Sequence, residues 1–123
     1  MRTRFGSVGL AIGVGFIGSI AALPARAQTI GPAETKAYVG KPVTVQAAIT
    51  DVHVAKSGAT FIDMGGEFPD NNFVAVIFAD DAAKFPNASA LEGKTVTITG
   101  TVQMYQGKPE IILKSASQLK AAK

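Results

Sequence analysis

The stretch that decides the fold is GKTVTITGTVQM, residues 93–104. From residue 95 onward, its even positions hold apolar residues or glycine, and its odd positions hold threonine or glutamine. A period of two residues is typical of a β-strand with one buried face and one solvated face. A break at residues 106–109 (QGKP) is followed by a second run at residues 110–114, so we predict that the two runs pair as a hairpin.

An earlier stretch, residues 40–49 (GKPVTVQAAI), matches residues 93–102 in its turn and in its alternation. In this stretch the apolar residues occupy odd positions through Ile49. Beyond it they occupy even positions, starting at Val52. A one-residue change of phase is what a β-bulge produces. We therefore predict a long first strand that is bent by a bulge near residues 50–51.

Two further strands and two short helices complete the pattern. The strands are predicted at residues 60–64 and 73–78, and the helices at residues 32–39 and 80–85. In the second helix, an aspartate at position 80 or 81 is predicted as the cap. The order of these elements predicts an all-β fold with small α content. Its expected form is a five-stranded OB-fold barrel with a short helix before strand 1 and another between strands 3 and 4.

The amino terminus has the three parts of a secretory signal peptide. Two arginines fall within the first four residues, residues 5–23 carry no charge, and Ala-Arg-Ala at residues 25–27 fits a signal-peptidase site. We expect residues 1–27 to be removed by cleavage after Ala27, which leaves residues 28–123 as a single domain in the periplasm or outside the cell. An uncleaved membrane anchor is the alternative, although the glycines at positions 9, 13, 15 and 18 weaken such a helix.

The expected mature chain has balanced charge. It holds nine lysines, nine acidic residues and no arginine, and the whole sequence contains no cysteine. This balance gives no support for a polyanionic partner, and the absence of cysteine excludes disulfides and thiolate metal sites. The charge is uneven, because residues 61–92 hold six acidic residues and one lysine.

No group of residues predicts catalysis. His53 is the only histidine, and it has no second imidazole or thiolate for a transition-metal site. Asp63, Glu67 and Asp70 lack the regular spacing of a calcium loop, which favours a solvated turn. We therefore expect a protein that is not an enzyme, with no metal and no cofactor.

Five segments carry a family resemblance, namely GKPVTV (40–45), TFIDMGG (60–66), FVAVIF (73–78), LEGKTV (91–96) and YQGKPEI (105–111). They resemble bacterial OB-fold domains of the nucleic-acid-binding type, which are similar to tRNA-anticodon-binding modules, and the likeness extends over about residues 30–119. The resemblance implies an OB-fold and a nucleic-acid ligand. Nucleic-acid-binding proteins commonly use arginine to stack on bases and to bind phosphate, and the expected mature chain has none.

OB barrels bind ligands on strands 2 and 3 and on the loops beside them. This location predicts a ligand-binding face made by Lys56, Phe61, Phe73, Tyr105 and Lys108. Aromatic rings there would stack on bases, while the alternative is that the two phenylalanines pack beneath the helices. The favoured partner is single-stranded DNA or RNA, bound weakly and without sequence preference. The alternative function is a barrel that binds a peptide, a protein or a small ligand, and a third is a structural role within a larger complex. The sequence does not predict the oligomeric state.

Overall fold

A computed structural model describes residues 28–122 and shows a mostly β protein with four short 3₁₀ helices. The predicted signal peptide and its cleavage site lie outside the described residues. The strands are β1 (Gln28–Ile30), β2 (Pro42–Val54), β3 (Thr60–Met64), β4 (Phe73–Ile77), β5 (Thr95–Thr101), β6 (Gln103–Tyr105), β7 (Lys108–Ile112) and β8 (Leu119–Ala121). The 3₁₀ helices span Pro32–Tyr38, Ala79–Lys84, Ala88–Leu91 and Ala116–Gln118.

The strands form one sheet in the order β6-β7-β4-β3-β2-β5-β8, and β1 adds to β2 in parallel. The prediction of an all-β fold with little helix is confirmed. The five-stranded closed barrel is not confirmed, because the sheet has eight strands and no ladder joins β5 with β7 within residues 28–122. The short strands β8 and β6 pair with β5 and β7 instead.

β5 and β7 nevertheless approach each other closely at Gly100. A Cβ atom added to this glycine would lie 2.5 Å from Cγ2 of Ile111. Only a residue without a side chain allows this spacing. The predicted fourth and fifth strands, β5 and β7, therefore pack against each other without forming a hydrogen-bonded ladder.

The predicted bulge in β2 is confirmed. The register between β2 and β3 shifts between Ile49 and Asp51. Ile49 is buried in the core, whereas Asp51 and His53 face away from it. The single extra residue, Thr50, thus moves two polar side chains onto the outer surface of the sheet.

The core fills the inner side of the sheet with aliphatic residues from every long strand. The alternation that predicts β5 is confirmed, since Val96 and Ile98 are completely buried. The predicted second helix is a 3₁₀ helix without a side-chain cap, and Asp81 instead accepts a 2.8 Å hydrogen bond from Lys84. Within residues 28–122, we find no helix long and apolar enough to span a membrane.

Candidate functional site

The outer face of the sheet carries a line of residues in register across five strands, and four of the five are polar. Asp51 of β2 lies opposite Asp63 of β3, and Asp63 lies opposite Val74 of β4. Val74 lies opposite Glu110 of β7, which pairs with Gln103 of β6. Residues paired across neighbouring strands project from the same face. Three carboxylates therefore belong to one surface of the sheet.

A cleft of about 310 Å³ lies on this face. Phe68, from the loop between β3 and β4, and Tyr105, from the end of β6, are 69% and 58% exposed. This volume is at the small end of the range for ligand sites. The side chains that line the cleft are His53, Phe61, Asp63, Phe68, Asn71, Val74, Tyr105, Gln106, Lys108 and Glu110.

One end of the cleft is formed by an aromatic pair. The imidazole of His53 stacks on the ring of Phe61, with centroids 5.2 Å apart and planes 21° from parallel. These residues are directly paired between β2 and β3, so the strand register sets the stack. The stack holds the imidazole in one orientation, and its Nδ1 lies 3.3 Å from Oδ2 of Asp51.

Lys108 holds the loop that carries Phe68. Its ammonium donates to the carbonyl oxygens of Pro69 at 3.0 Å and of Asn71 at 2.6 Å. The loop is also anchored at its start, where the Thr50 hydroxyl lies 2.6 Å from the carbonyl oxygen of Gly66. An ammonium has three donors, so two are used within the protein.

Asp63 is the most unusual residue of the cleft, because its carboxylate is buried and only 2% exposed. Its Oδ1 accepts a 3.2 Å hydrogen bond from Nδ2 of Asn71. Its Oδ2 is buried, has no hydrogen-bond partner among residues 28–122, and lies 4.0 Å from Nδ1 of His53. Burial has the largest effect on this carboxyl and raises its pKa; in decreasing order, His53 then lowers the pKa, Asp51 raises it and Lys108 lowers it.

The second buried carboxylate of the cleft has a partner. Glu110 is 6% exposed, and its Oε2 accepts a 2.8 Å hydrogen bond from Nε2 of Gln103. Gln103 is its direct neighbour on β6. The two buried acids therefore differ in kind, since Glu110 has a built-in donor and one oxygen of Asp63 does not.

Three of the five residues predicted for the ligand face meet in the cleft, namely Phe61, Tyr105 and Lys108. Lys56 is exposed in the turn between β2 and β3, outside the cleft lining. Phe73 is completely buried, so its assignment to the ligand face is wrong. Its ring packs in the core because Phe73 pairs with Met64, whose side chain faces inward.

The sequence prediction missed His53, Phe68 and Glu110 as parts of one site. The change of phase at residue 50 signals that residues 51 and 53 turn outward. The pairing of these positions with β3, and the fold of the loop around Phe68, leave no comparable mark in the sequence.

Comparison with protein-family models and with curated proteins finds no match. Among solved structures, the chain is similar to a protein assigned as an aspartyl-tRNA synthetase from Leishmania major Friedlin, with a TM-score of 0.54 and 12% identity. The similarity covers 82% of this chain and 22% of that one. It is also similar to the Stn1–Ten1 complex of S. pombe, with a TM-score of 0.51, 13% identity and coverage of 67% and 58%.

These likenesses confirm the OB-type fold. At 12% and 13% identity they show the fold alone. A third similar structure is assigned as a nucleic-acid-binding lipoprotein from Klebsiella pneumoniae, with a TM-score of 0.47, 21% identity and coverage of 86% of this chain and 97% of that one. The chain spans about a fifth of the synthetase chain and just over half of the matched S. pombe chain.

Proposed function

We propose that the protein is an exported OB-fold binding module that takes single-stranded nucleic acid into the cleft of its outer sheet face. The observation that carries this proposal is the set of aromatic rings around the cleft. Tyr105 and Phe68 are exposed, and the His53–Phe61 stack forms one end of the cleft. Every base has a flat π face, so such rings bind bases with little regard to sequence.

The charges around the cleft make this binding weak. Asp63 and Glu110 line it, and Asp51 belongs to the same face. A phosphate is repelled by these carboxylates, and Lys108 has already committed two donors to the loop. The bases therefore supply the affinity by stacking, while the phosphates stay at the solvent edge of the cleft.

The test is fluorescence anisotropy of the purified protein with a labelled single-stranded oligonucleotide, in EDTA and at low salt. Replacing Tyr105 by Ala should weaken binding by about 1–3 kcal/mol, because one stacking platform is lost. Met104 provides the matched control. It is the preceding residue on the same strand, is 44% exposed and is not part of the cleft lining, so Met104→Ala should bind as the parent does.

Both substitutions are on the surface, so both variants should melt within a few degrees of the parent. If the parent fails to bind at tens of micromolar and low salt, or if the two variants bind equally, the proposed function is wrong. Export is tested separately by the intact mass of the protein recovered outside the cytoplasm, which should begin at Gln28.

A further inference from the structure

Three side chains that can bind a metal meet at the β2 side of the cleft. The relevant donor atoms of Asp51, His53 and Asp63 all lie within 4.8 Å of one another. The bulge and the strand register bring them together, because Asp51 and His53 share a face of β2 and Asp63 pairs directly with Asp51. The site belongs to rigid strands, which hold ligands more precisely than loops.

A second observation indicates that this cluster is built for a ligand. Oδ2 of Asp63 is buried, receives no hydrogen bond from the part of the chain that the structure describes, and faces Nδ1 of His53 at 4.0 Å. An unpaired buried oxygen costs free energy, and a protein seldom keeps one without use. The amide of Asn71 holds the other oxygen at 3.2 Å and so orients the carboxylate. Outer hydrogen bonds of this kind orient the ligands of metal sites.

We propose that Asp51, His53 and Asp63 bind one divalent transition-metal cation, with Zn²⁺ as the representative ion. One imidazole nitrogen with two carboxylate oxygens suits zinc and its neighbours, whereas Mg²⁺ and Ca²⁺ require six or more oxygen ligands. Two ligands about 2.1 Å from one zinc ion lie about 3.4 Å apart in a tetrahedral site. The 3.3 Å and 4.0 Å separations from Nδ1 are close to this spacing and need only small side-chain rotations.

Three protein ligands leave a tetrahedral ion one open position, as in catalytic and ligand-binding zinc sites. That position would face the cleft, since His53 and Asp63 both line it. The cation would also neutralise the carboxylates of this wall. The metal site does not depend on the proposed binding of nucleic acid, because its ligands come only from β2 and β3.

The test is a calorimetric titration of Zn²⁺ into the purified protein without a polyhistidine tag. We expect about one ion per chain, with Ca²⁺ and Mg²⁺ at the same concentration failing to compete. Asp63→Asn and His53→Phe should each weaken binding at least tenfold. The second change removes the imidazole nitrogen but keeps an aromatic ring that can stack on Phe61.

Glu110→Gln is the matched control, because it neutralises the other buried acid of the same cleft and leaves the three ligands intact. It should bind Zn²⁺ as the parent does. A thermal melt with and without Zn²⁺ gives a second readout, in which the ion should raise the melting temperature of the parent and of Glu110→Gln but not of Asp63→Asn.

Absence of zinc binding by the folded parent would overturn the site, as would equal binding by parent and Asp63→Asn. Equal loss in Glu110→Gln would also overturn it, since the loss would then reflect general acidity of the cleft. The oligonucleotide titration is run in EDTA, so failure of the metal site and failure of the proposed function are separate results.

Discussion

At the scale of single residues, Phe61 and Phe73 show why a pattern can identify a strand without choosing its face. Phe73 begins a run that is apolar at every position, so its period assigns no side to the ring. The pairing of Phe73 with Met64 decides the matter and buries it. The role of Lys108 was equally hidden in the sequence. Its ammonium donates to carbonyl oxygens of a loop, and the alternation of the strands does not specify the shape of that loop.

Asp63 should lower the stability of the ligand-free protein at neutral pH. Burial raises its folded-state pKa above that of the unfolded chain, so folding favours the protonated carboxyl. The stability that this gives is fully present below the unfolded pKa of about 3.9 and is lost as the pH rises through the folded pKa. Asp63→Asn removes the buried charge, and its amide has Asp51 nearby as an acceptor. In EDTA at neutral pH it should raise the free energy of unfolding by about 1–3 kcal/mol.

The measurement is a thermal melt of Asp63→Asn and its parent across the acidic and neutral range. The melting temperatures should differ by several degrees at neutral pH and converge toward a pH of about 3.5, where the parental carboxyl is protonated in both states. Glu110→Gln should show no such gain, because the Glu110 carboxylate already accepts a bond from Gln103. A lower melting temperature for Asp63→Asn at neutral pH would show that the carboxylate is stabilising.

At the scale of elements, long alternating runs were predictable and short strands were not. β5 and the bent β2 each contain enough alternating residues to define a period, and the change of phase at residue 50 located the bulge. β1 and β8 have three residues each, which is too few to define a period. β6 is the end of the run predicted at residues 93–104, and its antiparallel pairing with β7 is the predicted hairpin. β6 and the unpredicted β8 occupy the edges of β7 and β5 where closure of the barrel was expected.

The phase of β5 predicts opposite results for two neighbouring substitutions. Val96→Asp places a charge where the side chain is completely buried, which costs several kcal/mol and rivals the stability of a small domain. Thr97 is only partly buried and lies opposite Lys120 of β8, so Thr97→Asp puts a carboxylate beside a lysine. We expect the first variant to be unfolded and the second to melt close to the parent. Equal melting curves would contradict the assigned phase.

At the scale of the whole molecule, acidic residues and lysines are concentrated in different parts of the chain. The expected mature chain is neutral by composition, and residues 61–92 carry six acids against one lysine. The sequence showed this imbalance but not its place in the fold. The register adds Asp51 and Glu110 to the face that carries Asp63, so three carboxylates are gathered at the cleft.

This distribution makes a specific prediction for the salt dependence of oligonucleotide binding. For single strands, the logarithm of the affinity falls with the logarithm of salt concentration with a slope of about −0.7 per neutralised phosphate. Lys108 is engaged by the loop, which leaves Lys56 as the free lysine of the predicted face, so we expect about one phosphate contact. The affinity should then fall only about two- to threefold between 50 and 200 mM salt.

Anisotropy titrations in EDTA at several salt concentrations measure this slope. Two variants distinguish the contribution of stacking from that of the phosphate contact. Tyr105→Ala should lower the affinity at every salt concentration without changing the slope, because stacking releases no counterions. Lys56→Met tests the remaining lysine of the predicted face and should bring the slope toward zero if that side chain supplies the contact. A parental slope steeper than about −3 would require four or more phosphate contacts. Such a result would place the nucleic acid on the lysines elsewhere on the molecule, and stacking in the acidic cleft would no longer explain the affinity.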